Sequence, residues 1–530
     1  MRFLVVAFPF LFAFAHPSRD WSVQQGRFVD VHGRERFFHG VNIVYKSAPY
    51  VPITSHDGPL SFTENDARFL QQLGMNVVRL GAMWGGMEPS EGAYNQTYMD
   101  EIKKIVRMCE KHDIQVLIEF HQDGLSEVFC GEGIPWWAAH NYGPAYRAFP
   151  APSSEPFKMA GRSNFAGSYA QARVPAVSDC QPLARVYNEM MASYAAARNY
   201  EDLYTNGRGL RDLFVSYWRY LAEQFKGDSN VIGFELINEP ASIWPRNYTE
   251  SEFLQPMYDA LATAIREVDP SRVIFFNPVT WDHGYAPTNE SVYDNGFSQV
   301  PGGPGFEDRS VYAYHYYDYG HLFHGEPFFQ SRVATTQRLK AAGMVTEFQL
   351  EHVETEGDEA DEHFGYGMDL MDANLLSWMA WTYKGYYPVP YLQEEELPFV
   401  AVCTGCASGL YPDLPQSTDV SWATAKSLAR TYAQAVQGQA KFIHFDRKSS
   451  VFRLRYAFDP KVTAPTVIYV NRELGGSAAG RYANGVEVEV TGGFSWSLKG
   501  TILTVSAGPS VAGCEVSVTV APKLSFTAIL

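Results

Sequence analysis

Eight short apolar runs recur along the chain and are separated by segments with helical periodicity, for instance 64–73 and 213–225. The runs span 37–44, 76–84, 115–120, 231–237, 272–279, 311–317, 343–348 and 375–383. Their hydrophobicity is continuous rather than alternating, which is typical of strands buried on both faces of a parallel sheet. Eight such strand and helix units predict an α/β fold, a (β/α)8 barrel, whose catalytic residues lie where the strands end on the carboxyl face.

Two segments are longer than a minimal barrel requires. Residues 124–205 separate the third and fourth runs, far more than the usual short connection between a strand and a helix. A second insert, at 385–400, follows the eighth run. Both could be decoration that stabilises the barrel edge. Long loops on the carboxyl face commonly shape substrate pockets, so we favour a rim or lid over the site.

The texture of the sequence changes near Gln439, where short alternating segments are separated by Gly, Pro and Asn turns. That pattern predicts an all-β sandwich over 439–530, after a catalytic barrel over 16–438. The sandwich could bind carbohydrate or a membrane. A packed accessory domain without chemistry of its own is the favoured interpretation.

Residues 1–15 have the features of a secretory signal: one Arg, an apolar run, and small residues at positions 13 and 15. The apolar run is shorter than the roughly 20 residues that a membrane span needs, so an anchor is the weaker interpretation. We therefore predict a secreted or lumenal protein, in an extracellular, digestive or lysosomal space. Triplets at Asn95, Asn247 and Asn289 fit N-glycosylation on that route.

Six cysteines would meet an oxidising compartment on the secretory route, so disulfides are expected, although the sequence does not reveal their pairing. The spacing of Cys403 and Cys406 also occurs in zinc and redox sites. Without a second pair at ligand spacing, a small loop disulfide is the favoured interpretation. The six are Cys109, Cys130, Cys180, Cys403, Cys406 and Cys514.

The net charge of −17 argues against a nucleic-acid partner, which would need clustered Lys and Arg. Aromatic residues make up 15% of the chain, enough to predict surfaces lined with rings as well as an aromatic core.

Two glutamates end strands of the predicted barrel. Glu239 follows Asn238 after the fourth run, and Glu347 closes the seventh, so both would project into the barrel mouth. Glycoside hydrolysis needs such a pair, one carboxyl to protonate the leaving oxygen and one to attack the anomeric carbon. The alternative is that Glu347 only pairs with a buried Arg or Lys.

Other strand ends carry polar or aromatic residues, where barrel interiors are normally filled with Val, Ile and Leu. Arg79 is suited to keep a nucleophilic carboxylate ionised through charge-assisted hydrogen bonds. Asn238 is placed to bond a sugar 2-hydroxyl, and Trp381 offers a flat ring to the apolar face of a sugar. The remaining donors and acceptors are His121, Asp123, His315 and Tyr317.

The order of these residues resembles glycoside hydrolase family 5, a retaining family. The matching residues are Arg79, His121, Asn238-Glu239-Pro240, His315, Tyr317, Glu347 and Trp381. Segments 42–50, 120–127 and 234–240 look like those of endoglycoceramidases in particular, and the resemblance covers both the barrel and the sandwich. It implies that Glu239 is the acid/base, that Glu347 is the nucleophile and that Tyr317 hydrogen-bonds Glu347. It also implies sugar contacts from Lys46, His121, Asp123 and Asn238.

The resemblance implies hydrolysis of the β-linkage between an intact oligosaccharide and ceramide by double displacement, with no metal or cofactor. The partner would be a glycosphingolipid, met through transient contact with a membrane or micelle. One alternative is a β-glucosidase of glucosylceramide or steryl glucoside, and another is a relative that prefers galactosylceramide-type cores. A catalytically silent glycolipid carrier or lectin, and a cellulase-type activity, are the remaining alternatives.

Overall fold

The structure is a computed structural model, and it describes most of the chain after residue 20. The described residues are 21–142, 174–175, 193–280, 296–317, 325–386, 409–411, 419–474, 480–508 and 514–523. The predicted signal at 1–15, the Cys403 and Cys406 pair and the Asn289 triplet lie outside them, as does most of the 385–400 insert.

Three short antiparallel strands, β1 (Trp21–Gln24), β2 (Arg27–Asp30) and β3 (Glu35–Arg36), precede the barrel. Val23 and Phe28 of this hairpin pack against the first residues of the barrel strands in one apolar cluster. The hairpin therefore closes the amino-terminal end of the barrel, opposite the face where the strands end.

Eight parallel strands close into a barrel, which confirms the predicted fold class. They are β4 (His39–Ile43), β5 (Val77–Gly81), β6 (Gln115–Glu119), β7 (Val231–Glu235), β8 (Val273–Phe276), β9 (Ser310–Tyr316), β10 (Ala342–Gln349) and β11 (Ser377–Trp381). Each one coincides with a predicted apolar run. The runs are continuous because one face of every strand packs inside the barrel and the other faces helices.

Helices surround the barrel. They are α1 (Glu64–Gln72), α2 (Trp84–Met87), α3 (Gln96–Lys111), α4 (Tyr194–Thr205), α5 (Leu210–Gln224), α6 (Arg246–Thr249), α7 (Gln255–Val268), α8 (Gly325–Leu339), α9 (Glu359–Ala373) and α10 (Trp422–Leu428). A capping box between Thr63 and Asp66 begins α1. Asn95 caps α3, accepting from Tyr98 N at 3.2 Å. Among the described helices, none is long and apolar enough to cross a membrane.

The C-terminal region forms two antiparallel sheets. One holds β13 (Gly438–Asp446), β14 (Val451–Phe458), β16 (Val486–Val490) and β19 (Glu515–Pro522), and the other holds β1–β3 with β12 (Tyr432–Val436), β15 (Thr466–Tyr469), β17 (Phe494–Lys499) and β18 (Ile502–Ala507).

The sandwich is therefore not confined to 439–530. It starts at β12, and it takes β1–β3 from the amino-terminal side of the barrel through pairing of β3 with β12. β3 is only two charged residues long, and β12 is rich in Ala and Gln, so neither carries the period-2 pattern that marks a strand in sequence.

The barrel and the sandwich share a buried interface. His39 of β4 stacks between the rings of Trp378 and Tyr432, with centroid separations of 4.0 and 3.6 Å. Arg430 donates to Asp372 Oδ2 at 2.6 Å, and both side chains are buried. The sandwich thus packs directly against the barrel through buried contacts and is not a separate module on a linker.

The cysteines differ in state. Cys130, in the first part of the 124–205 insert, is disulfide-bonded. Cys109 is a buried free thiol and Cys514 an exposed one. The even count of cysteines therefore does not translate into complete pairing.

Candidate active site

Arg79 of β5 is fully buried and lies at the centre of the site. Its Nε donates to Glu235 Oε2 at 2.8 Å, and its Nη2 lies 3.2 Å from Glu119 Oε2. Nη1 donates to Glu347 Oε1 at 2.6 Å. Burial alone would lower the pKa of Arg79, but these three carboxylates outweigh it and raise that pKa above its ordinary value.

Two amide side chains complete the coordination of the guanidinium. Arg79 Nη1 donates to Asn42 Oδ1 at 3.0 Å, and Nη2 donates to Asn238 Oδ1 at 2.9 Å. The fork of five N–H groups is thus filled, so the arginine can adopt only one position. That position fixes both Asn238 and Glu347.

Glu347 has partners at both carboxylate oxygens. Oε1 accepts from Arg79, and Oε2 accepts from the Tyr317 hydroxyl at 2.7 Å. The side chain is buried, with only 4% exposure. Two hydrogen bonds, one of them charge-assisted, hold the carboxylate in one orientation, as an attacking nucleophile requires.

Glu239 hydrogen-bonds a histidine instead of an arginine. His315 Nδ1 lies 2.6 Å from Glu239 Oε1 and 3.5 Å from Glu347 Oε2. Burial would lower the pKa of His315, but the two glutamates raise it above its ordinary value. One carboxylate oxygen of Glu239 lies within 4.8 Å of one of Glu347. This short spacing fits the retaining geometry, in which the carboxyl groups are about 5 to 5.5 Å apart.

A second polar cluster lies beside the first and contains four of the predicted sugar-binding residues. Lys46 Nζ forms an ion pair with Asp123, and His121 Nε2 lies 3.5 Å from Asp123 Oδ2. Trp381 stacks on the His121 ring with 5.2 Å between centroids, and Lys46 Nζ lies 4.9 Å from the Trp381 ring centre. The cluster therefore combines charged groups with an aromatic face, the combination that sugar recognition uses.

Glu132 belongs to this cluster, although the sequence analysis did not select it. Its Oε1 lies 3.3 Å from Lys46 Nζ and 3.9 Å from His121 Nε2, and the side chain hydrogen-bonds Asp123. Burial raises the pKa of Glu132 to about 8, so near neutral pH it is the protonated partner of Asp123. The pKa of Asp123 is held well below its usual range, because Lys46 and His121 outweigh the effect of burial.

Glu119 connects the two clusters. It lies against Arg79, and its Oε1 accepts from His121 Nδ1 at 2.9 Å. Burial would lower the pKa of His121, but Glu119 and Asp123 raise it to about 10, so this ring is a cation at neutral pH. A continuous chain of alternating charges thus runs from Glu347 through Arg79 to the second cluster.

Among the described residues, two groups of side chains have the residue types that bind metal ions, and in each group a carboxylate already pairs with a Lys or Arg side chain. Glu239, His315 and Glu347 form one group, in which the histidine bonds the first glutamate. The other contains His121, Asp123 and Glu132. Lys46 Nζ pairs with both carboxylates of the second group, so an internal cation accounts for its composition.

All ten residues selected from the sequence meet in these two adjoining clusters. The selection missed Glu119, Glu235, Asn42, Glu132 and also Gln122, whose side-chain amide donates to the carbonyl oxygens of Asn238 and Glu239. Three of these five carried an available signal, because a charged or amide side chain inside a continuous apolar strand must be paired when it is buried. They are Asn42, Glu119 and Glu235.

Comparison with known families agrees with this geometry. Residues 49–386 match the family described as cellulase (glycosyl hydrolase family 5), which is more than half of the chain. Residues 430–520 match the glycoside hydrolase family 5 C-terminal domain. The chain belongs to glycoside hydrolase family 5. It is a glycoside hydrolase with both domains of that family.

Two endoglycoceramidases are similar over most of the chain. The endoglycoceramidase of Hydra vulgaris is 34% identical over 475 residues, which cover 88% of this chain and 82% of the Hydra protein. The endoglycoceramidase of Cyanea nozakii is 34% identical over 477 residues, covering 87% and 85%. The resemblance predicted from the sequence is therefore confirmed.

Among solved family 5 structures, endo-glycoceramidase II from Rhodococcus sp., in its ganglioside GM3 complex, has a similar fold. The TM-score is 0.67 at 22% identity, and the match covers 94% of this chain and 99% of the Rhodococcus chain. The fold match thus includes both the barrel and the sandwich.

Proposed function

We propose that this family 5 enzyme is a retaining endoglycoceramidase, which hydrolyses the linkage between the oligosaccharide and the ceramide of glycosphingolipids. The observation that carries the chemistry is the contrast between the two glutamates. Glu347 is held by Arg79 and Tyr317, whereas Glu239 hydrogen-bonds His315. A carboxylate oxygen of Glu239 lies within 4.8 Å of one of Glu347. The substrate class is supported by the two endoglycoceramidases that are similar over more than four fifths of their length.

In the first step, Glu347 attacks the anomeric carbon of the sugar that is linked to ceramide. The bond from that carbon to the ceramide oxygen breaks, a carboxylate ester forms, and Glu239 gives its proton to the departing oxygen. Arg79 and Tyr317 keep the Glu347 carboxylate in one orientation, so the attacking oxygen needs no reorganisation.

In the second step, Glu239 acts as the base. It takes a proton from a water molecule, whose oxygen bonds to the anomeric carbon as the ester bond to Glu347 breaks. His315 bonds Glu239 Oε1 throughout and so orients the carboxyl group for both proton transfers. The products are the free oligosaccharide, with its configuration retained, and ceramide.

The second cluster is suited to bind the sugar next to ceramide. Lys46 and cationic His121 supply donors, Asp123 supplies an acceptor, and Trp381 supplies the apolar face. Asn238, held by Arg79, lies beside the acid where a contact to the sugar 2-hydroxyl strengthens in the transition state. We propose these substrate contacts as a set.

Exposed aromatic side chains support contact with a micelle or membrane. Trp136, Trp244 and Tyr248 are 44%, 56% and 50% exposed. They lie in the segments that follow β6 and β7, two neighbouring strands, on the carboxyl face of the barrel, with Tyr248 in the short helix α6. Aromatic rings of this kind favour the boundary between lipid and water. We propose that the lipid surface meets the enzyme on this face. The acidic net charge supports a partner class that does not include nucleic acid.

The proposed place of action is a secreted or lumenal compartment. The signal-like residues 1–15 and the disulfide bond at Cys130 support it. Expression in animal cells, followed by sequencing of the mature amino terminus and treatment with an N-glycosidase, tests this localisation. Retention inside the cell with an intact amino terminus would contradict it.

Product analysis tests the proposed substrate. The purified enzyme is incubated with a ganglioside in detergent, and the products are identified by mass spectrometry. Ceramide together with the intact oligosaccharide is the expected result. If the ganglioside stays whole while glucosylceramide is cleaved, the pocket admits one sugar, and the β-glucosidase alternative replaces the proposal.

A further inference from the structure

The backbone at Glu239 adopts a conformation that side chains rarely tolerate. Its φ is +39°, in the left-handed region that favours glycine and is strained for other residues. Such a conformation persists only where the surroundings hold it. Hydrogen bonds to the carbonyl oxygens of Asn238 and Glu239, which lie on either side of the Glu239 Cα, would hold this conformation.

Gln122 supplies that support from the loop after β6. Its Nε2 donates to the carbonyl oxygen of Asn238 at 2.6 Å and to the carbonyl oxygen of Glu239 at 2.9 Å. The amide side chain is fully buried. One amide nitrogen thus holds the peptide groups immediately before and after the Glu239 Cα.

Gln122 is itself fixed at its oxygen. Oε1 accepts from Leu125 N at 3.1 Å and from the Tyr200 hydroxyl at 2.6 Å. Both donors of the amide and both acceptor positions are filled, so the side chain has no alternative orientation of equal energy. Tyr200 is fully buried in α4, which lies at the carboxyl end of the 124–205 insert.

We propose that Gln122 and Tyr200 form a positioning clamp that sets the direction of the Glu239 carboxyl group and so controls proton delivery to the leaving oxygen. This inference rests on the proposed function, because it needs Glu239 to be the acid. It also gives the insert a role in the chemistry, in addition to any role at the rim. Gln122 and Tyr200 are positioning residues, since neither needs to touch the substrate.

A clamp on the acid has a signature that a general loss of structure lacks. Proton delivery matters for a poor leaving group and matters little for one that departs unaided. Loosening the clamp should therefore slow the cleavage of substrates with weakly acidic leaving groups far more than the cleavage of activated ones. General damage to the fold would slow both equally.

The test uses a series of aryl β-lactosides whose phenol leaving groups span a wide range of acidity. We expect Gln122→Met to lower kcat/KM by roughly 100-fold for the least acidic phenol and by less than about tenfold for 2,4-dinitrophenol. Tyr200→Phe removes a single hydroxyl and should show the same trend, with kcat/KM about tenfold lower for the least acidic phenol.

Tyr258→Phe is the matched control. Tyr258 is also fully buried, and its hydroxyl donates to the carbonyl oxygen of Asn277 at 2.8 Å, away from Glu239. In this variant, the slope of log kcat/KM against the pKa of the phenol leaving group should equal that of the parent enzyme. The clamp is excluded if Tyr200→Phe also keeps the parent slope. It is likewise excluded if Gln122→Met stays folded and its kcat/KM falls by the same factor for all the aryl lactosides.

The same experiment separates the clamp from the proposed function. The aryl series reports on Glu239 whatever the natural substrate is. Parent enzyme that cleaves the aryl lactosides but leaves glycosphingolipids whole would overturn the substrate class alone. A steeper slope in both clamp variants would still support the clamp in that case.

Discussion

Arg79 Nη1 donates to Glu347 Oε1 at 2.6 Å, from a guanidinium that is fully buried and holds two further glutamates. An arginine in this position prevents three neighbouring carboxylates from repelling one another. It also fixes the orientation of the Glu347 carboxylate, whose other oxygen accepts from Tyr317. The whole site therefore depends on the planar fork of one side chain.

Arg79→Lys tests that dependence. Lysine keeps the positive charge but cannot hold several carboxylates in fixed directions, so we expect kcat to fall by at least roughly 100-fold. The melting temperature should also fall, because Glu119 and Glu235 lose their hydrogen bonds. Steady-state kinetics and thermal unfolding check the two effects. Tyr317→Phe, which removes only the second bond to Glu347, is the milder control and should leave the melting temperature nearly unchanged.

Glu239→Gln should separate substrates by their leaving groups. The amide cannot protonate the ceramide oxygen, so cleavage of a natural glycolipid should fall by at least about 100-fold, the usual contribution of general acid catalysis. An aryl lactoside with an activated phenol should retain much of its first-step rate. Burst kinetics with that substrate measure the first step directly. Equal losses on both substrates would argue that Glu239 is not the acid.

The pH dependence of substrate binding should follow Glu132. Burial raises the pKa of Glu132 to about 8, and the groups that face it are Lys46, Asp123 and His121. Above that pH a second negative charge appears beside Asp123, so KM should rise while kcat changes little. Glu132→Gln keeps a hydrogen-bond donor but does not titrate, and its KM should stay flat through this range. An unchanged rise in KM in the variant would contradict the assignment.

Protein stability gives an independent measure of the same proton. The pKa of Glu132 rises from 4.5 to about 8 on folding, so between these values the folded protein binds more protons than the unfolded chain. The contribution of Glu132 to the free energy of unfolding therefore falls as the pH rises from about 4.5 to 8. Chemical denaturation at several pH values should show a shallower decline in Glu132→Gln than in the parent.

The sandwich should contribute stability rather than specificity. Arg430→Ala removes the buried partner of Asp372 at the interface and should destabilise the protein by about 3 kcal/mol. The ratio of kcat/KM values for two glycolipids should not change. Denaturant unfolding and a two-substrate comparison measure these outcomes. A stable variant with an altered lipid preference would show that the interface takes part in substrate choice.

The barrel and the two glutamates could be predicted from the sequence because both leave a local signal. Each buried strand is one continuous apolar run; Glu239 lies two residues after the fourth run, and Glu347 lies near the end of the seventh. β3 and β12 left no such signal, since a two-residue strand has no period and pairing between residues 36 and 435 is not local. The share of the sandwich that comes from the hairpin was missed for that reason.

Two residues on loops, Glu132 and Gln122, could not be assigned to the site from the sequence. Glu132 reaches Asp123 because the backbones at these two positions pair across a turn of eight residues, with N to O distances of 2.9 and 3.1 Å. Gln122 reaches Glu239 only because β6 and β7 are neighbours in the barrel. Both contacts follow from tertiary structure. In the second cluster, His121 and Asp123 could be selected because they follow the third apolar run, whereas Lys46 was recognised only from the family resemblance.

Covalent trapping tests the central claim most directly. A 2-deoxy-2-fluoro-β-lactosyl fluoride has an activated leaving group and a slowed second step, so the glycosyl-enzyme ester should accumulate. Peptide mass spectrometry should then find one fluorolactosyl group, on the peptide that contains Glu347, and none in Glu347→Gln. An adduct on Glu239, or hydrolysis of β-lactosides to the α-anomer without any adduct, would contradict the assignment of Glu347 as the nucleophile of a retaining enzyme.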